Sequence, residues 1–414
     1  MLGSSLSRVQ HRAQVVTTDC ILTVNPGSST IKLGMFAVRA EKPFCLGRAL
    51  IQLRASSLEL RIVDATGSER TELIAAPADE LDEVMKEALQ LLCRAYQCAG
   101  LGAVGHRVVH GGEDFVGPVE VTARTLEQIE ALAPLAPLHQ SQSIKLIDAI
   151  RKVHPSLLQT ASFDTTFHRT MIPPARRFAI PRELHDAGVR RYGFHGLSYS
   201  HIALALRVAA PSLADGRVVV AHLGSGASLC ALDGGISRDT SMGFSTLDGV
   251  PMSTRCGALD PGVILYLLKE RRMSVGEVET LLYNRSGLLG MSGISGDTRV
   301  LLASETREAA EALEGFAFHV SRSVAALATT LRGLDGIVFT GGIGEHQPHT
   351  RAAICERLGW LGVKLDREAN GSDATLISAH DSAVPILIIP ADEEQVIAAD
   401  AVRILLSQKQ GGEA

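Results

Sequence analysis

Short apolar runs that end in glycine recur three times along this chain. In the first, Ile21, Leu22, Thr23 and Val24 lead into Asn25-Pro26-Gly27-Ser28-Ser29, and a second β-type run continues to Phe36. Such runs around a small, hydroxylated turn predict a β-hairpin. Val218 to Leu232 (VVVAHLGSGASLCAL) repeats the pattern, and laying Gly224-Ser225-Gly226 over Gly27-Ser28-Ser29 sets Ala221 opposite Val24 and His222 opposite Asn25. Gly336 to Glu345 (GIVFTGGIGE) is a third strand running into glycines, followed by helical spacing at Arg351, Ala352, Ile354 and Leu358.

Between these runs the patterning is mixed. Phe44 to Val63 reads as further strands beside the first hairpin. Asp79 to Tyr96 reads as an amphipathic helix, with Leu81, Val84, Met85, Ala88, Leu89, Leu92 and Ala95 on one face. Val104 to Phe115 joins a strand to a glycine turn and sets Arg107 among apolar residues, where a guanidinium needs an anionic partner. Prolines make Ala133 to His139 a loop, with a helix resuming near Ser141 and running to Val153. Asp164 follows a short apolar run and by itself reads first as a helix cap. Val189 to His201 gathers arginines, aromatics and histidines around Gly193 and Gly196, and His195 between those glycines is poorly explained as packing. Asp239 to Pro261 and Ser286 to Arg299 read as functional loops carrying Arg255, Asp297 and Arg299. A long helix over Glu305 to Leu331, a buried strand over Val384 to Pro390, and a helix after Ala391-Asp392-Glu393-Glu394 complete the chain.

A glycine-serine turn can offer backbone N–H groups and hydroxyls to an anion, and Lys32 adds positive charge beside the first one. Alone, that hairpin reads as an ordinary surface feature. Two of them, far apart in one chain, suggest two related domains facing one nucleotide, with the third glycine turn as a further contact. The chain has no GxxxxGK[ST] string and neither turn fits GxGxxG, so P-loop and dinucleotide readings fall away.

Composition narrows the classes without choosing among them. A length of 414 residues favours two domains over one core. Apolar content of 46% with 21% charged residues is that of a soluble globular protein, and a formal charge of -5 without any basic run argues against nucleic acid. No apolar stretch of about 18 residues suggests a membrane span. Residues 1–18 lack the apolar core of a secretory signal and read as a disordered extension, or as a weak transit peptide given Arg8 and Arg12. Seven cysteines without a CxxC pair fit reduced thiols in a cytoplasmic enzyme. His106 and His110 flank a strand-like run and lack the Glu of a zinc-binding HExxH helix.

Taken in order, the segments NPGSSTIK, HRVVHGG, APLHQ, FDTTFH, RRYGFHG, HLGSGAS, DTSMGFSTLDG, TRCG, SGLLGMSG, FTGGIGE and IPADEE resemble the acetate kinase (acetokinase) family, from Cys20 to Leu406. The resemblance implies an α/β fold of two duplicated actin-like ATPase domains (ribonuclease H-like, ββαβαβα) flanking a nucleotide cleft. The N-terminal domain would span residues 19–168 plus 393–414, and the C-terminal domain 169–392. It implies a cytoplasmic, homodimeric phosphotransferase that uses Mg2+ (or Mn2+) and ATP or ADP to phosphorylate acetate or a similar short-chain carboxylate.

By that resemblance Arg107 and Arg255 hold the carboxylate and the transferring phosphoryl group. His195 hydrogen-bonds that phosphoryl with His139 in support, and Asp164 orients the site. Asn25 and Glu393 hold the metal, directly or through water. Lys32, His222, Leu223 and Gly224-Ser225-Gly226 meet the phosphates, while Asp297, Arg299 and Gly341-Gly342-Ile343-Gly344-Glu345 frame the adenosine. Val109, Leu138, Phe194 and Thr246 line a pocket for the methyl group. The chain departs from the family pattern at Ser225, usually Asn, at Thr246, usually Pro, at Gln140-Ser141, usually Asn-Pro, and at His346, usually Asn. Two alternatives stand beside acetate kinase: a propionate-preferring kinase, and an actin- or chaperone-type nucleotide-binding module with no acceptor.

Overall fold

β1 (Cys20–Pro26) and β2 (Thr30–Arg39) form the expected antiparallel hairpin, in register from Cys20 opposite Ala37 to Pro26 opposite Ile31. β1 is buried along its whole length, which is why it reads as an apolar run and not as an alternation. The computed structural model describes residues 20–27, 30–52, 58–77 and 80–411, without the side chain of Leu138. The extension over residues 1–18, Ser28 and Ser29 of the first turn, and Asp79 lie outside the described residues.

The first sheet grows outward from that hairpin. β3 (Lys42–Gln52), β4 (Leu58–Asp64) and β5 (Glu69–Ile74) continue it antiparallel. β6 (Leu101–Val108) and β8 (Leu158–Phe163) lie parallel to β1 on its other side, and β7 (Val119–Glu120) closes the far edge. β5 is an addition to the sequence reading: ERTELI is a charged edge strand with one buried residue, so its alternation carries little apolar signal.

The second sheet holds β9 (Arg217–Leu223), β10 (Ala227–Asp233), β11 (Ile236–Thr240), β12 (Gly336–Thr340) and β13 (Ile386–Ile388), in the order β11-β10-β9-β12-β13. The first sheet contains β3-β2-β1-β6-β8 in the same relation, with three antiparallel strands followed by two parallel ones. The repeated hairpins of the sequence are therefore equivalent parts of two like-ordered sheets, the actin-like α/β architecture. β13 is shorter than Val384 to Pro390 because only Ile386 to Ile388 pair with β12.

α1 (Leu81–Ala95) and α2 (Pro137–Val153) pack one face of the first sheet, where Val84, Met85, Leu89, Leu146 and Ile150 meet Leu22, Val24 and Leu33. The loop expected over 133–139 is corrected here: a short 3-10 turn spans Ala133–Leu135 and α2 begins at Pro137, so His139 sits in its first turn. Proline lacks only the amide that a helix start leaves unbonded anyway, so it marks entry into the helix. α3 (Gly196–Ala209) packs Tyr199, Ile202 and Leu206 on the second sheet, and α4 (Pro261–Lys269) follows the long loop that carries Arg255.

Ser286 to Arg299 is also corrected from loop to helix in part, since it contains a helical turn over Gly287–Ser292 and the start of α5 (Thr298–Leu302). α6 (Arg307–Leu331) lays Phe316, Val320 and Val324 against the other face of the second sheet. The third glycine turn is itself helical, forming α7 (Gly341–His346), with α8 (Pro348–Glu356) after it. α9 (Glu393–Gly411) returns to the first sheet, burying Ala398, Ala401 and Val402 with Ile21, Phe36 and Ala103. No helix among the described residues is long and apolar enough to cross a membrane.

Three histidines are locked into this core uncharged. His106 bonds Gln159, His168 bonds Ser237 and the Phe194 carbonyl, and His110 accepts from the Gly112 N–H. Burial pushes each down to about 4, from 6.5 when unfolded. A histidine depressed by folding stabilises fully above the unfolded value and loses that contribution as pH falls towards the folded one. Each should cost about 1.4 kcal/mol of stability per pH unit within that window. Urea midpoints should therefore drop between pH 7 and pH 5, and equal midpoints would contradict it.

Candidate active site

The C-terminal ends of β1, β6 and β8 place three polar residues side by side. Arg107, next to last in β6, donates to both oxygens of Asp164, at 2.6 and 3.2 Å, and to Asn25 Oδ1 and the Pro26 carbonyl, each at 3.3 Å. Asp164, directly after β8, makes no helix-cap bond with its side chain. Its carboxylate instead takes Arg107, with the backbone N–H of His195 near enough to favour the ionised form. Complete burial is the largest influence on Asp164 and lifts its carboxyl, while the two-pronged contact with Arg107 pulls the other way.

The Asn25 amide turns the other way, donating to Glu393 at 2.8 Å and to Glu394 at 2.9 Å. Burial would raise the Glu393 carboxyl, but Arg107, His222, Lys32 and Asn25 outweigh it and hold it below the ordinary range. Lys32 stands opposite Asn25 in the hairpin register.

The second sheet supplies the facing wall. His222, near the end of β9, and His195, just before α3, stack with ring centroids 4.4 Å apart. Each is fixed from behind by a serine at 2.8 Å: Ser198 on His222 Nδ1 and Ser228 on His195 Nδ1. Burial is the main force lowering both imidazoles, so both are neutral near pH 7. His195 adopts a left-handed backbone, φ 57°, and a Cβ on the next residue, Gly196, would fall 1.8 Å from the Asp164 carbonyl. Only glycine permits that approach, which brings His195 and Asp164 together across the two halves of the chain.

Arg255 comes from the long loop and is half-buried. Its guanidinium donates to the Thr246 carbonyl at 2.9 Å, and among the described residues no carboxylate lies within ion-pair distance of it. Burial, with Arg107 pushing the same way, pulls it down to about 10, still protonated at neutral pH. A Cβ on Gly226 would sit 2.8 Å from Arg255 Nη2 and 3.2 Å from His195 Nε2, so turn, arginine and histidine converge on one point. His139 is pushed to about 4 by burial first and then by Arg255 and Arg107, which places it in the field of both cations. Gly226→Ala should therefore displace both side chains and lower turnover by about 10²-fold with the fold intact, as kcat and circular dichroism together would show.

A cleft of about 610 Å³ is lined by Asn25, Lys32, Arg107, His195, His222, Gly224, Ser225, Gly226, Gly341, Gly342, Glu345 and Glu393, with Arg255 behind Gly226. A second chamber opens from it across Gly224, Ser225 and Gly342, lined further by Asp297, Arg299 and Ile343. Asp297 caps α5 and binds the Arg299 guanidinium at 2.7 Å, although the Arg299 side chain is 81% exposed. Other expected residues are held as follows. Leu223 buries its side chain in the second core, and Gly344 gives its carbonyl to Arg351. Glu345 accepts from the N–H groups of Gly341 and Ala391, joining the glycine turn to the segment before Glu393. Val109 and Phe194 share one apolar cluster with Ala136, and Thr246 is buried beside Arg255. Leu138 lies in the first turn of α2, its side chain outside the described residues.

Among the described residues no group of three or more His, Cys, Asp or Glu could hold a metal by itself. Glu393, ionised beside the cleft, with the Asn25 amide next to it, instead suits Mg2+, which takes one or two carboxylates together with phosphates and water.

The family model of the acetokinase family matches residues 20–399. The chain belongs to the acetokinase family. Acetate kinase of Rhodopseudomonas palustris (strain TIE-1) is 48% identical over 394 residues, covering 94% of this chain and 98% of that protein. Among solved structures, a propionate kinase from Francisella tularensis subsp. tularensis SCHU S4 superposes with a TM-score of 0.85 at 34% identity, covering 93% of this chain and 99% of that one. Porphyromonas gingivalis acetate kinase gives 0.83 at 32% identity, covering 94% of this chain and 100% of the other. As an acetokinase the chain is a phosphotransferase that uses ATP or ADP, and its likeness to the solved members extends over both sheets.

Proposed function

We propose that this chain is a magnesium-dependent acetate kinase, transferring the γ-phosphoryl of ATP reversibly to the carboxylate of acetate by direct in-line displacement. The observation that carries the reading is Arg255, a half-buried cation with no carboxylate within ion-pair distance among the described residues, set against Gly226, which lines the same cleft as Arg107. Acetate is already ionised near neutral pH, so its oxygen needs no base. The barrier lies in bringing one anion to another, and catalysis then consists of positioning and charge neutralisation.

In this reading Arg107, fixed by Asp164 and Asn25, and Arg255, fixed by Thr246, neutralise carboxylate and phosphoryl. A neutral His195, with Nδ1 accepting from Ser228, keeps its proton on Nε2 to donate to the phosphoryl. His139 supports it from the start of α2. His222, Lys32 and the Gly224 to Gly226 turn hold phosphates, and Asp297, Arg299 and Gly342-Ile343 frame the adenosine. Glu393, with Asn25 through water, would hold Mg2+ (Mn2+ serving in its place), which when bound adds positive charge at the phosphates. The return of α9 to the first sheet supports a division into 19–168 plus 393–414 and 169–392, closing on the nucleotide, in a cytoplasmic enzyme. Exposed Val263, Leu265 and Tyr266 on α4, a helix with no buried residue, supply an apolar face suited to a homodimer.

A second reading, preference for propionate, has support from the propionate kinase likeness and from Thr246 beside Arg255. One methylene in an apolar pocket changes selectivity by about 10- to 200-fold. A hydroxylamine trap for acyl phosphate, run over acetate, propionate and butyrate with ATP, GTP and pyrophosphate, separates the readings. Acetate with ATP should give the highest kcat/KM, by about 10-fold or more over propionate. Nucleotide hydrolysis without any acyl hydroxamate would overturn both.

A further inference from the structure

Away from the cleft the molecule gathers three nucleophilic side chains that phosphoryl transfer does not use: Cys20, Cys93 and Cys98. The cause lies in how α1 ends. The chain leaves the helix through Gln97 in a left-handed conformation, φ 51°. The Gln97 N–H bonds the Arg94 carbonyl at 3.4 Å and the Cys98 N–H bonds the Cys93 carbonyl at 2.9 Å. These two crossed bonds make a Schellman close, which brings the residue after the left-handed position against the one five before it. That contact is ordinarily apolar, and here both members are thiols.

The Cys93 and Cys98 thiols lie close enough to perturb each other, and Cys98 is likewise under the influence of Cys20, the first residue of β1. Cys98 Sγ further donates to the Gly100 carbonyl at 3.0 Å. Cys20 is fully buried, whereas Cys93 and Cys98 are partly open to solvent. The contact with Cys98 draws the Cys93 thiol below its ordinary range, favouring thiolate there, while Cys98 is held above it. The backbone bond between the two residues keeps their Cα atoms within the reach, at most about 7 Å, that a bridge requires.

We propose that Cys93 and Cys98 are a reversible dithiol site, oxidised to an intramolecular disulfide by low-molecular-weight disulfides. The Cys93 thiolate attacks one sulfur of the small disulfide, forming a mixed disulfide and releasing one small thiolate. Cys98, its proton passing to water, then attacks the Cys93 sulfur and displaces the second. Two protein thiols become one disulfide, and one small disulfide becomes two thiols. The site lies at the opposite ends of β1 and β6 from Asn25 and Arg107, so it is separate from the catalytic cleft.

Glutathione disulfide added to the full-length protein, followed by acid quench, alkylation and tryptic mapping, tests it. Arg94 lies between the two cysteines, so trypsin parts them and a bridge appears as a joined peptide pair. The expected result is a fall of two from seven alkylatable thiols and a Cys93–Cys98 link that dithiothreitol removes. Cys98→Ser should strand a glutathione adduct on Cys93. A persistent adduct on Cys93 in the unaltered protein, a Cys20–Cys98 link, or no change at either cysteine would each overturn the proposal, and none of these readings needs a variant to fold.

Discussion

Arg255→Ala should lower turnover by about 10³-fold or more without lowering thermal stability. Arg255 makes one bond to a protein carbonyl and has no carboxylate partner among the described residues, while burial pulls it to about 10. A cation in that position is a cost to the folded protein until an anion arrives. In the proposed reaction its removal takes away stabilisation of the transferring phosphoryl and relieves the cost, so kcat in the hydroxamate assay should collapse while the melting temperature holds or rises. A variant that keeps a third of wild-type kcat, or that melts far below wild type, would place Arg255 in the scaffold instead.

Arg107→Ala should behave differently. It too should lose about 10³-fold or more in turnover, since the proposed reaction relies on it as the second cation beside the phosphoryl. Unlike Arg255, Arg107 is joined to Asp164, whose side chain has no solvent exposure. Breaking such a pair from one side leaves an uncompensated buried charge and costs about 3–5 kcal/mol. Urea denaturation of Arg107→Ala should show that loss, and adding Asp164→Asn should recover part of it without recovering activity. Full stability in the single variant would contradict the pairing.

The contrast between these arginines also shows what the residues alone could reveal. Arg107 announced its need for an anion because a guanidinium inside VGHRVV has few alternatives, but the partner, Asp164, lies 57 positions away and resembled a helix cap. The two hairpins were legible because buried strands must be apolar along their length, and their repetition foreshadowed the common strand order of the two sheets. The start of α2 was not legible, since proline ends one helix and begins another with the same local chemistry.

The serines behind the histidines were missed for another reason. Ser198 follows His195 by three residues and Ser228 stands opposite His222 in the β9–β10 register, yet serine is common enough that neither position stands out. Glu394 was overlooked beside Glu393, although Asn25 binds both. Arg351, fully buried, holds the Gly344 and Glu345 carbonyls behind the third glycine turn and binds Asp373 and Asn370, a role that its helical spacing concealed.

In the proposed reaction acetate itself, held between Arg107 and Arg255, supplies the attacking oxygen. Incubating the purified protein with ATP, Mg2+ and acetate labelled with 18O in its carboxylate, then locating the label by mass spectrometry and 31P NMR, tests this directly. The expected product is acetyl phosphate whose bridging oxygen carries the label, formed in step with ADP. Conversion of ATP to ADP and unlabelled orthophosphate, at the same rate with or without acetate, would contradict it.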